Sequence, residues 1–111
     1  MVYSTFMIDW DRIGELRAEI GEDDFAEVLD LFFEDVDDAV VRLRSATDQG
    51  PLAEALHFLK GSAQNLGLSE VSALCAQAEA RLGDVGQARP DIETIVAVLA
   101  TAREELRKHG S

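Results

Sequence analysis

The chain has 111 residues, with 10 Lys and Arg against 22 Asp and Glu, for a formal net charge of −12 at pH 7. Such a field repels nucleic acid and anionic membrane surfaces, and no apolar run approaches the roughly 20 residues of a membrane span. The length suits one domain over residues 1–111, large enough to bury a core without metal or disulfide staples.

Met1 to Ile8 reads as a short lead that packs Tyr3, Phe6 and Ile8 onto the rest. It has neither a basic residue before Arg12 nor a secretory apolar segment, so no signal peptide is expected. The Met and the short lead favour a free-standing protein over an excised domain. Asp9 is placed to cap a first short helix over 9–20, with Ile13, Leu16 and Ile20 along one edge and Gly21 at its end. Glu22, Asp23 and Asp24 open a second helix over 22–48, where negative charge suits the macrodipole. Its apolar stripe is Phe25, Val28, Leu29, Phe32, Val36, Ala39, Val40 and Leu43. Gly50-Pro51 marks a boundary, with Gly beyond one helix and Pro at the first position of the next. That third helix covers 51–66 and stops at Gly67. Ser69 is expected to cap a fourth helix over 69–83, lined by Val71, Leu74, Cys75, Ala78 and Leu82. Cys75 is the sole cysteine; it excludes an intramolecular disulfide, reads as a small core residue and suits a reducing cytoplasm. A polar connector over 83–89 leads to Pro90, the expected start of a fifth helix over 90–108 with the stripe Ile92, Ile95, Val96, Leu99, Ala102 and Leu106.

No segment has the alternation of a strand. Four longer amphipathic helices with short connections predict an all-α fold, an antiparallel up-down-up-down four-helix bundle with a short extra N-terminal helix.

The third helix carries the unusual chemistry. Leu52, Leu56, Leu59, Ala63 and Leu66 recur at helical spacing and form one apolar stripe. Two residues advance a helix by about 200°, so His57 points away from Leu59 and from the core. Lys60, Gly61 and Gln64 follow His57 by three, four and seven residues and share its exposed face. Surface histidines, lysines and glutamines are common, and each alone would mean little. Gly61 is harder to dismiss, because a mid-helix glycine costs about 1 kcal/mol relative to Ala. Its place one turn from an exposed His suggests that something approaches closely there.

The run His57-Phe58-Leu59-Lys60-Gly61-Ser62-Ala63, followed by Leu66-Gly67, resembles the signature of histidine-containing phosphotransfer (HPt) domains. Leu56 stands where the family often has a small residue, a difference that concerns packing more than chemistry. The resemblance implies that His57 is the phosphoacceptor, through Nε2, and that the donor is a phospho-aspartate on a receiver domain of a response regulator or hybrid sensor kinase. Lys60 and Gln64 are then expected to stabilise the phosphoryl oxygens, and Gly61 to let the partner close over His57. No metal or cofactor is expected in this chain, since the family's Mg²⁺ belongs to the receiver. Ile13, Leu16 and Phe25 are candidates for the docking surface by position, and Phe58 lies on the flank of the helix. His109, near the C-terminus, is given no role. With no Gly-rich nucleotide motif in the sequence, ATP-dependent kinase activity is not expected. The whole is read as a monomeric phosphorelay intermediate, an enzyme only in the loose sense of a carrier. The alternative is a non-catalytic helical adaptor that binds receiver or kinase domains. A sensor-kinase dimerisation hairpin would need a dimer and usually a Pro soon after the His, where Ser62 stands instead.

Overall fold

A computed structural model describes residues 8–83 and 85–110, with the side chains of 85–87, 109 and 110 excepted. Tyr3, Phe6 and the side chain of His109 lie outside the described residues. Within them the chain forms five helices and no strand: α1 (Trp10–Ile20), α2 (Glu22–Ser45), α3 (Gln49–Leu66), α4 (Ser69–Ala80) and α5 (Val85–Gly110). Helix α3 packs between α2 and α4, α4 also packs on α5, and α2 touches both α1 and α5. Ile8, Ile13, Phe25, Leu43, Leu52, Leu56, Leu59, Leu68, Val71, Ile92, Ile95 and Leu106 are the largest fully buried side chains of one continuous core. Burial of this apolar surface drives the packing, at roughly 25 cal/mol per Å² removed from water.

The first helix begins as expected. The Asp9 carboxylate accepts the Arg12 backbone N–H at 3.2 Å and caps α1. Its start is also tied to the end of α3. Asp9 N–H donates to the Gly67 carbonyl at 2.7 Å, and Arg12 Nε donates to the Asn65 carbonyl at 3.2 Å. Gly67 ends α3 in the left-handed region, φ +92°. A Cβ there would lie 3.1 Å from Arg12 Cβ, so glycine serves both the turn and the seat of α1.

Several boundaries differ from expectation, each for a tertiary reason. Helix α2 stops at Ser45 rather than residue 48. The Arg89 guanidinium draws its end together, donating to the carbonyls of Leu43 at 3.1 Å, Arg44 at 3.0 Å and Ala46 at 2.6 Å. Helix α3 starts at Gln49, which makes Gly50 helical and puts Pro51 at the third position. Proline is tolerated there because the first four N–H groups of a helix have no intrahelical acceptor. The Gln49 side-chain amide donates to the Leu82 carbonyl and holds this start against the end of α4. Ser69 does not cap α4; Leu68 takes that place, and its hydrocarbon side chain, fully buried, offers no cap hydrogen bond. Helix α4 ends at Ala80 in a turn rather than at 83, and α5 begins at Val85, with Pro90 inside it. The buried Ala88 and the anchored Arg89 hold that extra first turn against the bundle. Along α2, Phe33 is buried and Val28 is exposed, the reverse of the stripe read from spacing. The Arg103 guanidinium covers the Phe33 ring, 5.0 Å from its centroid, and pairs with Asp37 at 3.2 Å, so α5 claims this face of α2.

Candidate functional site

The local pattern that builds the site is simple. Leu52, Leu56, Leu59 and Ala63 are completely buried and Leu66 nearly so, which fixes the rotation of α3. His57, between two buried leucines, is therefore driven outward, and its side chain is 79% exposed. Lys60 is half-buried on the same face, and Gly61 and Gln64 are exposed there. An ideal Cβ at Gly61 would meet nothing within 4 Å. The fold itself thus places no steric demand for glycine at this position, although glycine weakens the helix.

The neighbouring helix contributes a residue that spacing along α3 could not reveal. Glu79, in the last turn of α4, is three-quarters buried and carries one carboxylate oxygen 2.6 Å from Lys60 Nζ. Its other oxygen lies 3.9 Å from His57 Nδ1. Nδ1 therefore faces the protein, and the opposite ring nitrogen, Nε2, faces solvent. A neutral imidazole with its proton on Nδ1 presents an Nε2 lone pair outward, which is the arrangement a nucleophile needs.

Gln64 stands seven residues beyond His57, about 10 Å along the helix axis. With Lys60, Asp9, Arg12, Ser69 and Ser72 it lines an open cleft of about 630 Å³ between the start of α1, α3 and α4. The structure does not bring it against the imidazole as it does Glu79. Ile13 and Phe25, candidates for a docking surface, are instead core residues at 1% and 2% exposure, and only half-buried Leu16 reaches solvent. The Arg17 guanidinium lies 5.0 Å from the centroid of the Phe25 ring. Phe58, next to His57, is an exposed aromatic, and Val28, Leu31 and Val41 are the other large exposed apolar side chains of the described residues. Cys75 is fully buried one turn before Glu79. Burial, reinforced by the Glu79 charge and opposed by that of Lys60, pushes its thiol up to about 12, so it is chemically quiet. Glu54 precedes His57 by three residues, a Glu-x-x-His spacing, but among the described residues no group of three His, Cys, Asp or Glu side chains converges as a metal site would require. No helix among them is long and apolar enough to cross a membrane.

Comparison with known proteins returns no significant match among curated proteins or solved structures. A family model does match. The model of the Hpt domain covers residues 27–109, well over half of the chain and all of the α3 and α4 site. The chain belongs to the Hpt domain family, which serves phosphotransfer in two-component signalling.

Proposed function

We propose that this protein is a phosphorelay intermediate. His57 accepts a phosphoryl group from a phospho-aspartate of one receiver domain and passes it to another. The observation that carries this reading is the exposed imidazole of His57, with Nδ1 turned to Glu79 and Nε2 outward, beside Lys60 and a glycine that the fold does not need.

The transfer follows from ordinary nucleophilic chemistry. The Nε2 lone pair forms a bond to phosphorus. The bond from phosphorus to the aspartyl oxygen breaks, and its electrons leave on the partner's carboxylate. The transition state is loose, with charge spread over the phosphoryl oxygens, so alignment and positive charge do most of the work. Lys60 supplies the positive charge of this chain, and Mg²⁺ held by the receiver supplies the rest. Gly61 leaves room for the receiver's active site to close over the histidine. Gln64 stands farther along the same face and donates its amide toward the phosphoryl group or the edge of the bound partner. Exposed Phe58 extends the contact surface beside His57.

The four longer helices are read as an antiparallel up-down-up-down bundle. Packing between successive helices and between α2 and α5 supports this arrangement, with α1 seated against the end of α3. A continuous core among the described residues supports a monomer, and a single, free cysteine suits a reducing cytoplasm. The adaptor alternative shares the fold but gives no reason for an outward Nε2 backed by a lysine.

Phosphoryl transfer from radiolabelled phospho-receivers tests the proposal, with His57→Gln as control. Label is expected only with His57, lost in acid and kept in base. An intact fold that takes no label from any receiver of the source organism would favour the adaptor. Because His57 is exposed, His57→Gln should leave thermal stability within about 0.5 kcal/mol of the parent.

A further inference from the structure

The Lys60–Glu79 pair raises a problem for the phosphotransfer reading on which this inference rests. At 2.6 Å from a carboxylate, Lys60 is already neutralised before any phosphoryl group arrives. Glu79 also sits where a carboxylate is disfavoured. It is the penultimate residue of α4, close to the negative end of the helix dipole, in a last turn that contains no basic residue. Its second oxygen faces His57 Nδ1 at 3.9 Å, within reach of attraction but too far for a hydrogen bond.

We propose that Glu79 is a positioning residue that exchanges partners during the reaction, releasing Lys60 and taking the phosphorylated imidazole in its place. When Nε2 bonds to phosphorus and the aspartyl carboxylate leaves, the ring still carries its proton on Nδ1. The ring has given up a lone pair and now bears positive charge. At the same moment the phosphoryl group brings two negative charges to the face that Lys60 shares with His57. Lys60 moves from Glu79 to the phosphoryl oxygens, and the Glu79 carboxylate closes on Nδ1–H. Before transfer Lys60 and Glu79 pair with each other; after it Glu79 pairs with the ring and Lys60 with one of the two phosphoryl charges, the other facing solvent and the partner. Discharge of the histidine to a second receiver restores the Lys60–Glu79 pair. The short distance along one helix turn between His57 and Lys60 lets a single carboxylate on α4 serve both.

The test uses the whole protein and a phosphoramidate salt as donor, so no receiver is needed. Nε2 attacks phosphorus, the phosphorus–nitrogen bond breaks, and ammonia leaves. The Lys60 Nζ and Cε resonances are followed by NMR before and after labelling, in the parent and in Glu79→Gln. In the parent, phosphorylation should move the Lys60 resonances. In Glu79→Gln the unphosphorylated protein should show an unpaired lysine, while the phosphorylated form should show Lys60 shifts close to those of the phosphorylated parent. Because a ring protonated on Nδ1 is the better leaving group, the phosphohistidine of Glu79→Gln should also decay about fivefold more slowly near neutral pH, having lost the carboxylate that holds this proton. Lys60 resonances that do not respond to phosphorylation of the parent would overturn the exchange, as would an unchanged decay rate in Glu79→Gln. No label on His57 in the parent would instead refute the carrier reading itself, and the exchange with it.

Discussion

Replacing Gly61 with Ala separates what the fold wants from what the partner wants. Gly61 is the thirteenth of the eighteen residues of α3, in the helix interior and exposed. A Cβ there touches nothing within 4 Å, so the substitution brings no clash and no new burial. What remains is the backbone term, and Ala in a helix interior is favoured over Gly by about 0.5–1 kcal/mol. For a domain of this size that corresponds to a rise in Tm of about 3–6 °C. The new methyl group nevertheless stands on the face of His57, where a receiver must come within bonding distance of the imidazole. If that interface is packed like a protein interior, one extra methyl costs about 1–3 kcal/mol. Phosphoryl transfer from a labelled receiver should then slow by about fivefold to a hundredfold. The opposed signs are the point: thermal unfolding followed by circular dichroism should report a more stable protein, and the transfer assay a poorer one. A variant that is more stable and transfers phosphoryl groups at the parental rate would refute the close-approach argument. A lower Tm would refute the assignment of Gly61 to an unstrained helix interior. Gly61→Gln should show the same pattern with a larger loss of transfer.

Three further outcomes follow from the same structure. Lys60→Ala should slow transfer by about tenfold to a hundredfold without abolishing it, the worth of one charge-assisted contact in the transition state; an unchanged single-turnover rate would strip Lys60 of its role. Arg89→Ala should cost about 2–3 kcal/mol in urea unfolding, because the carbonyls of Leu43, Arg44 and Ala46 lose their donor together, and a loss below about 0.5 kcal/mol would show that water replaces the guanidinium freely. Cys75 gives a pH dependence: its thiol titrates near 9.0 when unfolded and is pushed up to about 12 when folded. Between those values the folded state holds the extra proton, so stability is full below pH 9 and falls as pH rises, by about 1.4 kcal/mol per unit from this group. Comparing chemical unfolding at pH 8 and pH 10 should show a steeper loss in the parent than in Cys75→Ala; equal slopes would refute the burial argument.

Much of the site was legible in the sequence because it is local. A helix of 3.6 residues per turn, with Leu52, Leu56, Leu59 and Ala63 on one side, has only one way to face a core, and His57 must then face solvent. The Asp9 cap and the Gly67 stop were legible for the same reason, since both act within a few residues of themselves. The end of α2 and the starts of α3 and α5 were not. A glycine followed by a proline looks like a boundary, yet Gly50 and Pro51 lie within the first turn of α3, and Pro90 lies inside α5. Arg89, read as part of a connector, instead gathers the last carbonyls of α2 from more than forty residues away. Ile13 and Phe25 looked suited to a docking surface and proved to be core, because periodicity identifies an apolar face without saying which neighbour covers it.

By itself the sequence determined the helical class, the apolar face of α3 and the outward histidine with lysine and glycine on its side. Those follow from backbone periodicity and from the aversion of apolar groups to water, both of which act along a single segment. Tertiary structure alone decided that Glu79 stands against Lys60 and turns to Nδ1 of His57. Nineteen residues and a turn separate Lys60 from Glu79 along the chain. Only the packing of α4 on α3 gives the two charges a common address, since electrostatic attraction depends on distance in space and not on position in sequence.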